Sequence, residues 1–177
     1  MKQKILLLFF CLPFIGLAQK HVPAFEEVLS LRNPGTPVLS PDGLHVVYTV
    51  RSTDWQENGY DTEIWIRKAD QKPFQLTNTP DGSSSNPQWS PDGQWVSFTS
   101  DRGNKSQVYV IRIDGGEAIP ITHEEETIGA YAWSPDGLKI AFTRPAVDEK
   151  AEKERKKRYG AYEVDDQEYK LNWLYVV

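Results

Sequence analysis

The tetrapeptide Ser-Pro-Asp-Gly occurs three times in the chain, at residues 40–43, 90–93 and 134–137, at intervals of 50 and 44 residues. Each copy suits a tight turn. Proline fixes φ at the second position, aspartate bonds nearby backbone, and glycine takes the conformation that closes the turn. Strand signals flank every copy. Leu39, Trp89 and Trp133 stand before it; Val46-Val47-Tyr48-Thr49, Val96-Ser97-Phe98-Thr99 and Ile140-Ala141-Phe142-Thr143 follow it. Alternation puts Val46, Val96 and Ile140 on one face with Tyr48, Phe98 and Phe142, as a pleated strand with one buried side requires. That face is expected to pack against the next repeat. A third strand is expected at 63–67, 107–111 and 173–176, and an edge strand at 74–77 and 119–122, where Pro120 is tolerable because an outer strand can spare a donor.

Four short strands repeated at this period make propeller blades. The fold class expected is all-β, an incomplete β-propeller of four-stranded antiparallel blades, about two and a half to three in number. A β-sandwich would not place the same residue types at four aligned positions. Closing a ring takes at least four blades, and the third copy stops in its third strand at Val177. The expectation is therefore a fragment of a longer gene product. The alternative is a piece that pairs with other chains to cover an open blade edge.

The N-terminus reads as an export signal. Lys2 and Lys4 precede an apolar run from Ile5 to Leu17, and the small residues Gly16 and Ala18 predict cleavage before Gln19. Residues 1–18 are thus the signal peptide and 19–177 the partial propeller. The apolar run is too short to span a bilayer, so no membrane attachment is expected after cleavage, and the location is periplasmic or secreted. Cys11, the one cysteine, lies inside this segment, which leaves the mature chain no disulfide and no thiolate metal site. Net charge is −5, with no basic surface to suggest nucleic acid. Twelve glycines, twelve prolines and six tryptophans agree with strands punctuated by turns.

Little in the sequence carries chemistry. His21, His45 and His123 lack the spacing of a metal motif and read as ordinary surface or turn residues. Asp42, Asp92 and Asp136 recur once per blade, so they cannot converge on one ion, and turn chemistry accounts for them. No metal, cofactor or catalytic residue is expected. Residues 148–166 insert an extra stretch of alternating charge where the other copies have a short connection, either a short solvent-facing helix or a flexible loop. Its length suggests a lid or a contact with another domain. The loop from Asp54 to Tyr60 carries Trp55 and Tyr60, which either line a peptide path or, as expected here, pack on a neighbouring element.

The order of motifs resembles a known family. Leu29-Ser30-Leu31, then Pro37-Val38-Leu39 before the first turn, Trp89 before the second, Ser100-Asp101-Arg102-Gly103, Asp114-Gly115-Gly116-Glu117-Ala118 and Lys157-Arg158-Tyr159 are similar to the N-terminal propeller of prolyl oligopeptidase-family serine peptidases, above all the acylaminoacyl-peptidase and dipeptidyl-aminopeptidase group. Ser-Pro-Asp-Gly blades also occur in TolB-like periplasmic propellers, which bind protein partners and catalyse nothing. The resemblance implies a C-terminal α/β-hydrolase domain bearing a Ser, Asp and His triad, with the propeller gating peptide access to it. No Gly-x-Ser-x-Gly elbow is present in these residues, so the chain is expected to be inactive alone. Its partners would be peptides, through the full-length enzyme, and the missing hydrolase domain. Dipeptidyl-type relatives bind a substrate's free α-amino group through paired propeller glutamates. On that analogy Glu124 and Glu125 are the substrate-binding candidates, against the alternative of a solvated loop between blades.

Overall fold

The computed structural model describes residues 22–145, 154, 157–160 and 172–177. A short helix, α1 (Phe25–Leu29), precedes three antiparallel sheets in chain order. The first comprises β1 (Asn33–Pro34), β2 (Val38–Leu39), β3 (His45–Asp54), β4 (Gly59–Lys68) and β5 (Phe74–Gln75). The second runs β6 (Ser84–Trp89), β7 (Trp95–Ser100), β8 (Gln107–Arg112) and β9 (Ile119–Pro120). The third holds β10 (Tyr131–Trp133), β11 (Ile140–Pro145) and β12 (Asn172–Val176). Strand order equals chain order in the second and third sheets, and each sheet is one blade. The signal peptide assigned to residues 1–18 lies outside the described residues, as does most of the charged insertion, of which 154 and 157–159 are helical.

In the first blade the inner strand is split into β1 and β2, both paired with β3. Gly35 sits at the break and donates its N–H to Thr49 O at 2.8 Å. A β-carbon there would overlap the Thr49 hydroxyl. Gly129 repeats the arrangement against Thr143 in the third blade. In the second blade Ser85 takes this place, and its hydroxyl bonds that of Thr99 at 3.1 Å. The inner strand is split at this point in the first blade and shifts register just beyond it, between Ser85 and Gln88, in the second.

The three turns share one hydrogen-bond pattern. Ser40, Ser90 and Ser134 each offer the hydroxyl oxygen to the N–H five residues on, at 2.9, 3.0 and 2.9 Å, and donate the hydroxyl to Asp42, Asp92 and Asp136. Each aspartate also accepts the N–H two residues on. The closing glycines have φ of +72°, +69° and +71°, the left-handed region where a side chain is strained. Turns of adjacent blades stack: a β-carbon on Gly93 would touch Pro41 at 3.6 Å, and one on Gly137 would touch Pro91 at 3.4 Å.

Two cores lie in the seams between blades. Val47, Ile64, Ile66 and Leu76 of the first blade pack on Trp89, Val96, Phe98 and Ile111 of the second. Val108 and Val110 of the second pack with Ile128 and with Tyr131, Ile140 and Phe142 of the third. The face bearing Val96 with Phe98, and Ile140 with Phe142, thus meets the preceding blade, not the next one as the alternation had suggested. Val46 and Tyr48, their counterparts in the first blade, are only half-buried, while Val47 on the opposite face is fully buried. The middle blade is covered on both faces, so its strand β7 is buried from Val96 to Ser100.

Polar links stitch the same seams. Trp89 Nε1 donates to Val38 O at 3.0 Å, and Trp133 Nε1 to the Ser97 hydroxyl at 2.7 Å. Tyr131 donates to Asn86 O at 2.6 Å, and burial drives its phenol pKa well above the usual value. The tryptophan before each of the second and third turns is therefore a cross-blade fastener.

Candidate functional site

Consecutive antiparallel strands alternate their connections between two ends of a blade. The Ser-Pro-Asp-Gly turns occupy one end. At the other lie the β3–β4 turn, residues 101–106, and the blade-to-blade connections 76–83 and 121–130, which contain Glu124 and Glu125. Because the turns stack on one side, these loops gather on the other, and the loop face is where a ligand would be met.

A repeated polar device organises that face. In the first blade the buried Glu63 accepts bonds from the Thr77 hydroxyl and the Thr79 N–H, while Thr77 Oγ1 accepts Ile64 N–H at 2.9 Å. In the second, Gln107 occupies the equivalent place: its Oε1 accepts Thr122 Oγ1 at 2.8 Å and Glu124 N–H at 2.9 Å. Its amide donates to Glu124 O at 3.0 Å and Glu126 O at 3.3 Å. The strand thereby fixes the backbone of the loop that leaves its own blade.

An arginine from the following blade then reaches back. Arg102 donates to the Thr79 and Ser84 hydroxyls at 3.0 and 3.4 Å and lies 4.6 Å from the Tyr109 ring centroid, with Tyr109 stacked on Phe98. Arg144 repeats this: it lies 4.5 Å above Tyr175, which stacks on Phe142, and its Nη1 is 3.0 Å from Glu124 Oε2. The hydrogen bond that the guanidinium donates to Tyr175, and then the charge of Glu124, raise its pKa further. Asp101, beside Arg102, accepts Ser83 N–H at 2.7 Å, so the Ser100-Asp101-Arg102-Gly103 motif is a staple between blades.

The structure does not present Glu124 and Glu125 as a matched pair. Glu124 is half-buried and committed to Arg144, whereas Glu125 is exposed. Glu126 approaches Lys105 at 3.7 Å. His45 accepts Ala69 N–H at Nδ1, 3.2 Å away, His123 is exposed, and His21 lies outside the described residues. Among the described residues no group of three or more His, Cys, Asp or Glu is placed to hold a metal.

The β3–β4 hairpin departs from the expected packing. Its strands have ten residues each, against six in β7 and β8, and it carries its aromatic residues outward: Trp55 is 55% exposed and Tyr60 54%. Arg51 lies 3.7 Å from the Tyr60 ring centroid. Among the described residues both aromatic side chains thus stay more than half exposed. Sequence reasoning also missed Asp61, at the third strand pair from the tip of this hairpin. Burial, then the nearby Glu63 charge, raise its pKa, and its buried Oδ1 has no hydrogen-bond partner among the described residues. The Asp61-Thr62-Glu63 spacing, which puts both acids on one strand face, was the available signal.

Residues 19–161 match the family described as the TolB beta propeller domain. Among relatives, the uncharacterized peptidase YuxL of Bacillus subtilis is 28% identical over 85% of this chain and 24% of its own length. Dipeptidyl-peptidase 5 of Porphyromonas endodontalis is 26% identical over 71% of this chain and 18% of its own. The chain spans about a quarter or less of the length of these relatives. Among solved structures, the apo AtxE2 isopeptidase superposes with a TM-score of 0.64 at 22% identity, covering 77% of this chain and 26% of that one. A TolB structure from Agrobacterium tumefaciens gives 0.51 at 27% identity over 65% of this chain and 40% of that one. The repeated turns, the seam cores and these matches together establish that the chain belongs to the TolB beta propeller domain family.

Proposed function

We propose that this chain is the N-terminal propeller of an exported serine peptidase, and that it gates peptide access to an α/β-hydrolase domain elsewhere in the polypeptide. The observation that carries the reading is the asymmetry of coverage: alignment with a peptidase and a dipeptidyl-peptidase takes up most of this chain but a quarter or less of theirs. On this reading the catalytic groups belong to the remaining length, and the loop face supplies selectivity. Glu125, exposed on that face, is the better placed of the two glutamates for a substrate ammonium group, and Glu124 fixes the loop beneath it through Arg144.

The reading frame beyond Val177 and the activity of its product test this. The full-length protein is expected to hydrolyse aminoacyl or acyl-aminoacyl chromogenic substrates, and residues 19–177 alone to release no product. Hydrolysis by 19–177 alone, or a full-length frame without a Gly-x-Ser-x-Gly elbow, would overturn the proposal. In the full-length enzyme Glu125→Ala is expected to raise KM for free-amino peptides and leave blocked peptides unaffected; an equal change for both removes its assigned role. N-terminal sequencing of the exported protein checks cleavage before Gln19. The TolB match favours a second reading, a propeller that binds a protein partner and catalyses nothing. A frame ending after further blades would support that one.

A further inference from the structure

Each Ser-Pro-Asp-Gly turn contains an Asp–Gly bond, a sequence at which a polypeptide readily attacks itself, since glycine has no side chain to shield its amide nitrogen. The reaction is a condensation. The glycine nitrogen gives up its proton and bonds to aspartate Cγ, one carboxyl oxygen leaves as water, and a five-membered succinimide forms. Water then opens the ring at either carbonyl, which restores aspartate or reroutes the main chain through the side-chain carboxyl as isoaspartate. No co-reactant but water enters. Proline precedes and glycine follows each of Asp42, Asp92 and Asp136, so the unfolded chain offers three sites of like reactivity.

In the folded turns a single serine engages both reacting groups. The N–H of Gly43, Gly93 and Gly137 donates to the carbonyl oxygen of Ser40, Ser90 and Ser134, each at 2.9 Å. The hydroxyl of the same serine donates to Oδ1 of Asp42, Asp92 and Asp136. That oxygen also accepts the N–H of Leu44, Gln94 and Leu138, at 2.9, 3.1 and 3.0 Å. Ring closure requires the nitrogen to release one hydrogen bond and the carboxylate two before the reacting atoms can align at about 3–3.5 Å. The serine hydroxyl first, and then the N–H two residues on, hold each carboxyl below its ordinary pKa, so that it stays ionised and has no hydroxyl to release as water.

We infer that Ser40, Ser90 and Ser134 are chemical guards, each keeping the Asp–Gly bond of its own turn from closing to a succinimide and leaving as isoaspartate. The contacts lie within five residues at the turn end of the blades. The inference is therefore independent of the loop face, of Glu125 and of the gating role.

The test stores the full-length protein at neutral pH, folded or in guanidinium, and follows isoaspartate at each turn by mass-spectrometric peptide mapping. Folded wild-type protein is expected to form it far more slowly at all three turns than the denatured chain does. Ser90→Ala is expected to raise the folded-state rate roughly tenfold at Asp92 alone, as loss of one charge-assisted hydrogen bond would, and Ser134→Ala at Asp136 alone. Ser134→Thr, which keeps the hydroxyl, is expected to stay slow. Ser134 is less buried than Ser90 and keeps the test open should Ser90→Ala not fold. Global unfolding would expose every turn together, so an equal rise at all three in a single variant would overturn the inference. Equal rates in the folded and denatured wild type, or an unaltered rate at the substituted turn, would do the same.

Discussion

At the scale of single residues the turn aspartates set an acid limit on stability. Asp42, Asp92 and Asp136 are each held below the ordinary 3.8, first by the serine hydroxyl and next by the N–H two residues on. A depressed carboxyl contributes stability above its unfolded pKa and loses it as pH falls through the folded one. Thermal melts are therefore expected to hold steady toward pH 5 on account of these groups and to fall below about pH 4, with a shallower fall in Asp92→Asn. Asp61 has the opposite sign. Its pKa is raised, so ionisation opposes folding once pH rises past its unfolded value. Asp61→Asn is expected to raise the melting temperature at pH 7 and to gain less at pH 3, and equal gains would refute this. The turn chemistry was legible from four consecutive letters because each partner lies within five residues. Asp61 was legible only in part: its spacing from Glu63 stands in the sequence, but the burial that chiefly raises its pKa comes from the fold around it.

Gly82 shows the same limit of local reading. Its φ is +142°, and a β-carbon would come 2.7 Å from Asp101 Oδ1 and 3.0 Å from Arg102 N. Gly43 is also left-handed but faces open space. Gly82→Ala is expected to cost more stability than Gly43→Ala, which should cost about 1 kcal/mol in chemical denaturation.

Among elements, strands aligned by their letters differ in what covers them. Phe98 and Tyr48 stand at the same repeat position, yet Phe98 is fully buried between two blades and Tyr48 is half-buried on the first. Phe98→Ala is expected to cost about 3–5 kcal/mol, and Tyr48→Ala distinctly less, in urea unfolding. Alternation revealed which residues share a face, but not which neighbour occupies it, since that depends on how blades follow one another in space. The Glu124–Arg144 contact was equally hidden, because its partners lie on different blades. Both side chains are about a quarter exposed, so a double-mutant cycle is expected to give a coupling of only ~0.5–1 kcal/mol. Its larger effect is to fix the loop that presents Glu125.

For the whole molecule, blade number and order follow from the spacing of three tetrapeptides, and the strands fell where the repeat placed them. The outward turn of Trp55 and Tyr60 did not follow, since aromatic residues in a sequence carry no sign of whether a neighbour exists to bury them. The stacked turns, Pro41 against Gly93 and Pro91 against Gly137, set the pitch from one blade to the next at a single end of the molecule. The opposite rim is joined instead by side chains, Arg102 to Thr79 and Arg144 to Glu124, so the loop positions outside those links, Glu125 among them, are the ones that can change without altering how the blades succeed one another. The chemistry between those links can thus change on one side of this scaffold while the stacked turns keep its gauge on the other.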